Sequence, residues 1–187
     1  MEVSISMIYI LIVFAVAGAS VLGGFYRRIS RQTPALIGTA LGIITARLLG
    51  PGFKEMLYGL FPSVHGQLEE TFLYDTTSRI IIFAAVYLIF KALTFFVGKA
   101  LGREEHSILD NIGGALFSLF KYLLFLSMAF NFLAGWDRES ALLNFVKSDD
   151  GNAIEEVMLL SPALTGGEDV TDYAHKIQME EARKISY

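Results

Sequence analysis

The sequence predicts an all-α integral membrane protein with four transmembrane helices and short amphipathic helices in the second loop and the C-terminal tail. Three observations lead there. The 187-residue chain is 53% hydrophobic and 18% charged, with a mean hydropathy of +0.50, which is apolar for a soluble domain of that length. Four stretches are long and apolar enough to cross a hydrocarbon core of about 30 Å. Small residues recur every four positions on several of them, the spacing that lets helix backbones meet where lipid supplies no hydrophobic drive. Residues 1–136 form the expected membrane domain, with helices at about 5–26, 33–50, 80–98 and 108–136; residues 137–187 form the tail.

Charge divides the chain at the same place. Ten Lys/Arg and eight Asp/Glu precede Asp137, against five and eleven from there on. Such an acidic tail is a poor ligand for nucleic acid, whose phosphates need concentrated positive charge, and no nucleic-acid partner is expected. The chain has no cysteine, so disulfides and thiol catalysis are excluded.

The first helix follows from Val3 to Tyr26, which carry no formal charge. Ala17-Gly18-Ala19 has the small-x-small look of a cleavage site. No Lys or Arg precedes it and the apolar run continues past it, so an uncleaved helix is expected. Ala15, Ala19 and Gly23 make one flank a groove for a neighbour. Arg27, Arg28 and Arg31 then crowd a short loop. They are the strongest orientation signal, placing this loop in the cytoplasm and both termini outside. They also suit contact with anionic lipid or with a cytoplasmic partner.

Thr33-Pro34 starts the second helix, since a proline in the first turn sacrifices no intrahelical bond. Gly38, Gly42 and Ala46 form its small-residue face, and Gly50-Pro51-Gly52 is its expected end. Arg47 lies within snorkelling reach of the outer surface. Phe53, Met56, Leu57, Leu60 and Phe61 then follow helical spacing, predicting a separate surface helix on the outer leaflet, broken at Pro62. Glu69, Glu70 and Asp75 make the rest of that loop acidic, and His65 has no ligand pattern around it. Ile80 to Gly98 is the third span, with Lys91 snorkelling across roughly 10 Å to the inner surface. Lys99 and Arg103 begin a second basic loop, and Glu104, Glu105 and His106 read as a solvated cluster.

The fourth helix, Ile108 to Trp136, holds the most specific pattern. Asp110, Gly114, Ser118 and Lys121 fall close to one helical face, and Trp136 suits an outer aromatic belt. Asp110 and Lys121 are about 16 Å apart along the axis, so each needs a partner elsewhere. Asn131 is a further polar residue in the lipid zone, placed to bond across helices.

An aspartate followed by glycine at plus four, a small residue at plus eight and a cation at plus eleven resembles the signature of the colicin V production protein (CvpA) family. Departures are Ser118, where the family more often has glycine; Lys121, commonly arginine; and Tyr122, often glycine. Gly24-Phe25-Tyr26 before the arginine turn, and Asp137 to Leu143 after the last helix, are also similar to that family, so the likeness covers roughly residues 5–145. It implies a non-enzymatic membrane protein accessory to colicin V production or export and to envelope homeostasis. Its expected partners are the bilayer and either a second copy of itself or an envelope or secretion protein.

The tail offers a turn at Asp149-Asp150-Gly151-Asn152 and two short helices, Ala153 to Leu160 and Asp169 to Ser186. Val170, Tyr173, Ala174 and Ile177 line one side of the second. That is too little for an independent core, so the tail is expected to dock on the bundle, lie along the membrane or stay partly mobile. No motif for a metal, nucleotide or other cofactor occurs, and none for a catalytic nucleophile. A second reading is a small oligomeric transporter or channel with Arg47, Lys91, Lys121 and Asp110 lining a polar path.

Overall fold

The computed structural model describes residues 2–61, 68–97, 107–136, 142–143, 146 and 153–185. They fold into four long helices, α1 (Glu2–Arg27), α2 (Thr33–Leu60), α3 (Leu68–Val97) and α4 (Ile108–Trp136), and two shorter ones, α5 (Ala153–Thr165) and α6 (Val170–Ile185). A 3-10 turn, Ser30–Gln32, joins α1 to α2. All four long helices contain a stretch long and apolar enough to cross a membrane, and no strand occurs among the described residues. The protein is a multi-pass membrane protein. Its two ends are here called the basic end, at the α1–α2 turn, and the tail end, where α5 and α6 lie.

The bundle is built from two helix pairs, α1 against α4 and α2 against α3. Small residues decide both. Gly38, Gly42, Ala46 and Gly50, four residues apart, are all buried. A methyl group on Gly38 would stand 2.8 Å from the Phe90 Cβ, and one on Gly42 2.9 Å from the Phe83 ring. On the other pair, Gly24 meets the Gly114 carbonyl and Ser118 more closely than any side chain permits. The pairs join where α3 faces α4, through Phe83, Tyr87, Phe125, Leu124 and Met128.

At the tail end α5 packs on α4 and also reaches α2 and α1. Phe72, Phe130, Ile154, Met158, Val170, Tyr173 and Ile177 form one core there, with the Phe72 and Tyr173 rings stacked at 4.3 Å. Docking on the bundle is therefore the outcome among the three expected for the tail. The outward faces, with Leu11, Phe14, Leu22, Leu48, Leu88 and Leu116, are apolar and exposed, as contact with acyl chains requires.

Two boundaries differ from those read in the sequence. Helix α2 passes through Pro51 to Leu60 instead of stopping at Gly50, so the apolar spacing at Phe53, Met56, Leu57 and Leu60 is its last part and not a separate helix. Gly50 is a packing glycine, 3.0 Å at its would-be Cβ from the Arg79 side chain, and a proline with supporting neighbours is tolerated in membrane helices. Likewise α3 begins at Leu68 and not at Ile80. Its polar first turns hold because Asp75 and Arg79, four residues apart, pair along the helix. The expectations for Pro62, His65, Lys99, Arg103, Glu104 to His106, Asp137 to Ser140 and the Asp149 turn lie outside the described residues.

Candidate functional site

Asp110, Gly114 and Ser118 all face the place where α1 ends and α2 begins. The chain reverses at Arg28, whose φ of 55° is left-handed, a conformation that costs a branched-at-Cα residue about 1–2 kcal/mol. Asp110 holds that turn from across the bundle. Its carbonyl accepts from the Ile29 N–H at 3.0 Å, and its carboxylate accepts from the Ser30 N–H at 2.9 Å. One turn deeper, Gly114 presses on Gly24 and on the Arg28 backbone; a methyl group there would stand 2.5 Å from the Gly24 carbonyl oxygen. The buried Gln32 donates from its amide to the Gly114 carbonyl at 3.3 Å and accepts from the Ser118 hydroxyl at 2.9 Å. Arg27 and Arg31 are exposed, and Arg28 is half-buried.

Lys121 lies deeper on the same face and is 5% exposed. Its ammonium sits over the Phe117 ring at 5.3 Å and the Tyr122 ring at 4.9 Å, an arrangement in which the negative ring faces balance part of its charge. Among the described residues no carboxylate pairs with it. Tyr122 thus stands beside the cation instead of allowing a second close helix approach. Gly38 and Gly42 serve the other helix pair and do not join this group.

The tail end holds two polar clusters, of which sequence reasoning had marked only Asn131. In the first, Arg79 grips Asp75 with two bonds, Nε at 3.0 Å and Nη2 at 3.1 Å. Its Nη1 donates to the Thr165 carbonyl at the end of α5. Asp75 also accepts from the Glu168 N–H at 2.9 Å, and Lys54 lies 3.8 Å away. The turn that brings these groups round uses Gly166 at a φ of 71°, which only glycine adopts without strain. The i, i+4 spacing of Asp75 and Arg79 was the available signal.

In the second cluster, Pro162 inside α5 has no N–H to offer the Met158 carbonyl. Two α4 side chains supply the missing donors: the Ser127 hydroxyl at 3.0 Å and the Asn131 amide at 2.6 Å. Ser127 accepts in return from the Ser161 N–H at 2.8 Å. Asn131 does bond across elements, to a helix of the tail. Between α3 and α4 a groove of about 660 Å³ opens to the outside, with Lys91 at one end and Thr77 at the other.

A model of the family described as "Colicin V production protein" matches residues 10–148. No curated protein and no solved structure matches the chain.

Proposed function

Because this chain belongs to the colicin V production protein family, we propose that it is a non-enzymatic helical scaffold of the bacterial inner membrane. In that role it is accessory to production or export of a colicin V-type toxin and to upkeep of the cell envelope. The observation that carries the reading is the use made of Asp110, Gly114 and Ser118: all three fasten α4 to the α1–α2 turn. A rigid join of this kind suits a protein that presents surfaces to others.

The polar-path alternative has less support, since its four ionisable groups have separate surroundings. Asp110 is engaged by the Ser30 backbone, Lys121 lies among rings, Lys91 faces the outer groove, and Arg47 lies beside Gly166 at the tail end. The arginines of the α1–α2 turn support an orientation with the basic end in the cytoplasm and the tail in the periplasm.

In a colicin V-producing bacterium whose own family member is deleted, this chain should restore toxin release into the medium and tolerance of detergent. Recovery of neither would overturn the reading. Single cysteines replacing Ser30 and His175 test the orientation. An impermeant thiol reagent applied to intact cells should label His175→Cys and miss Ser30→Cys; the reverse pattern would invert the topology.

A further inference from the structure

The groove between α3 and α4 is an open apolar slot with a cation, Lys91, toward one end. Ile80, Ala84, Phe125, Met128 and Phe132 are among its walls, and its volume of about 660 Å³ falls in the roughly 300–1,000 Å³ range of small-molecule sites. Thr77 and Lys91, at its two ends, are fourteen positions apart on α3, about 21 Å. Ile81, Leu88 and Ala129 on its rim are exposed to the surrounding bilayer, so hydrocarbon has free entry.

Positive charge gathers at the Lys91 end from three helices. Lys91 of α3 and Arg27 of α1 both act electrostatically on Lys121 of α4, and Arg27 acts also on the hydroxyl of Tyr87 in the groove wall. Among the described residues no carboxylate pairs with any of the three cations. Asp110, the described carboxylate at the basic end, is engaged by Ser30 and Arg28. Among the described residues the apolar outer faces of the helices carry no acid at this depth. An acyl chain below a phosphate matches both parts of the site.

We propose that this groove binds one anionic phospholipid, its acyl chain lying against Ala84 and Phe132 and its phosphate held at Lys91, in the positive field to which Arg27 adds. The protein thereby carries a lipid as a fixed part of its α3–α4 face. The site goes beyond the scaffold reading and stands whether or not toxin export depends on the protein.

Native mass spectrometry of the full chain, released from mixed micelles of phosphatidylglycerol and phosphatidylcholine, tests it. One phosphatidylglycerol should be retained in preference. Lys91→Gln and Arg27→Gln should each lower that preference about fivefold. Ala129→Trp, at the exposed rim, should fill the slot and lose both lipids. Arg47→Gln, which removes an exposed cation near the other end, should leave the preference unchanged. Equal retention of the two lipids by the unaltered chain would overturn the proposal, as would an equal loss in Arg47→Gln. Displacement of the lipid by inorganic phosphate would show a free-anion site instead. A lipid-free dimer abolished by Ala129→Trp would assign the groove to a second copy.

Discussion

At Gly114 a single added methyl group would meet two backbones, 2.5 Å from the Gly24 oxygen and 2.8 Å from Arg28; neither can move without shifting a helix. Gly114→Ala should therefore destabilise the protein by roughly 1–3 kcal/mol or more, the cost of forcing atoms into a filled interface. The neighbouring Gly113 is the control, because its would-be methyl meets only the flexible Ile29 side chain at 3.3 Å. Thermal unfolding in detergent should show a lower midpoint for Gly114→Ala than for Gly113→Ala, and equal midpoints would refute the packing role. Lys121 makes the opposite case. It is buried between rings without a carboxylate partner among the described residues, and replacing a buried charge by an apolar side chain of similar volume is often neutral or stabilising. Lys121→Leu should unfold no earlier than the unaltered protein; a large loss of stability would mean that the charge holds the fold together. The Asp110, Gly114 and Ser118 face was legible because helical spacing alone aligns those positions. Their partners Ser30 and Gln32 were not, since they come from about eighty positions away and no local pattern points to them.

Among the elements, α3 and the α5–α6 turn depend on one buried ion pair. Arg79 binds Asp75 along its own helix and the Thr165 carbonyl across to the tail. Removing one member of such a pair costs on the order of 3–5 kcal/mol, because the other charge stays buried and uncompensated. Arg79→Leu should free the tail, making α6 accessible to protease in proteoliposomes while the four spans remain protected. In the Asp75→Asn, Arg79→Leu double variant the loss should fall short of the sum of the two singles, and strict additivity would show that the pair does not act as a unit. This cluster was hidden by a boundary error. Once the third helix is read as starting at Ile80, Asp75 becomes a loop residue and its spacing to Arg79 carries no message. Proline weakens a helix because it removes one intrahelical bond and its ring crowds the carbonyl four residues back; in a bundle neighbours can satisfy that carbonyl, as Ser127 and Asn131 do for Met158 in α5.

For the molecule as a whole, two helix pairs meet along a modest α3–α4 contact, and α5 spans them at the tail end by touching α1, α2 and α4. The stripe of Val170, Tyr173, Ala174 and Ile177 was legible in the sequence. It is fully or almost fully buried, and each large apolar side chain so placed contributes about 1.5–3 kcal/mol. A chain cut before Ala153 should still insert its four spans but unfold at a lower temperature; an unchanged midpoint would mean that the tail adds nothing to the bundle. The two-part charge distribution foretold a membrane body with a different tail. Where that tail rests was decided by Pro162 and Gly166, whose consequences appear only in three dimensions.

The bonds from Ser127 and Asn131 to the Met158 carbonyl also set an order in time. During synthesis α4 leaves the ribosome before α5 does, so both polar side chains reach the bilayer while their eventual acceptor, 27 to 31 positions further on, is still inside the ribosome. The helix that inserts is thus a less comfortable lipid dweller than the helix of the finished protein. Seating of α5 is the step that completes it, since only then do Ser127 and Asn131 reach the Met158 carbonyl.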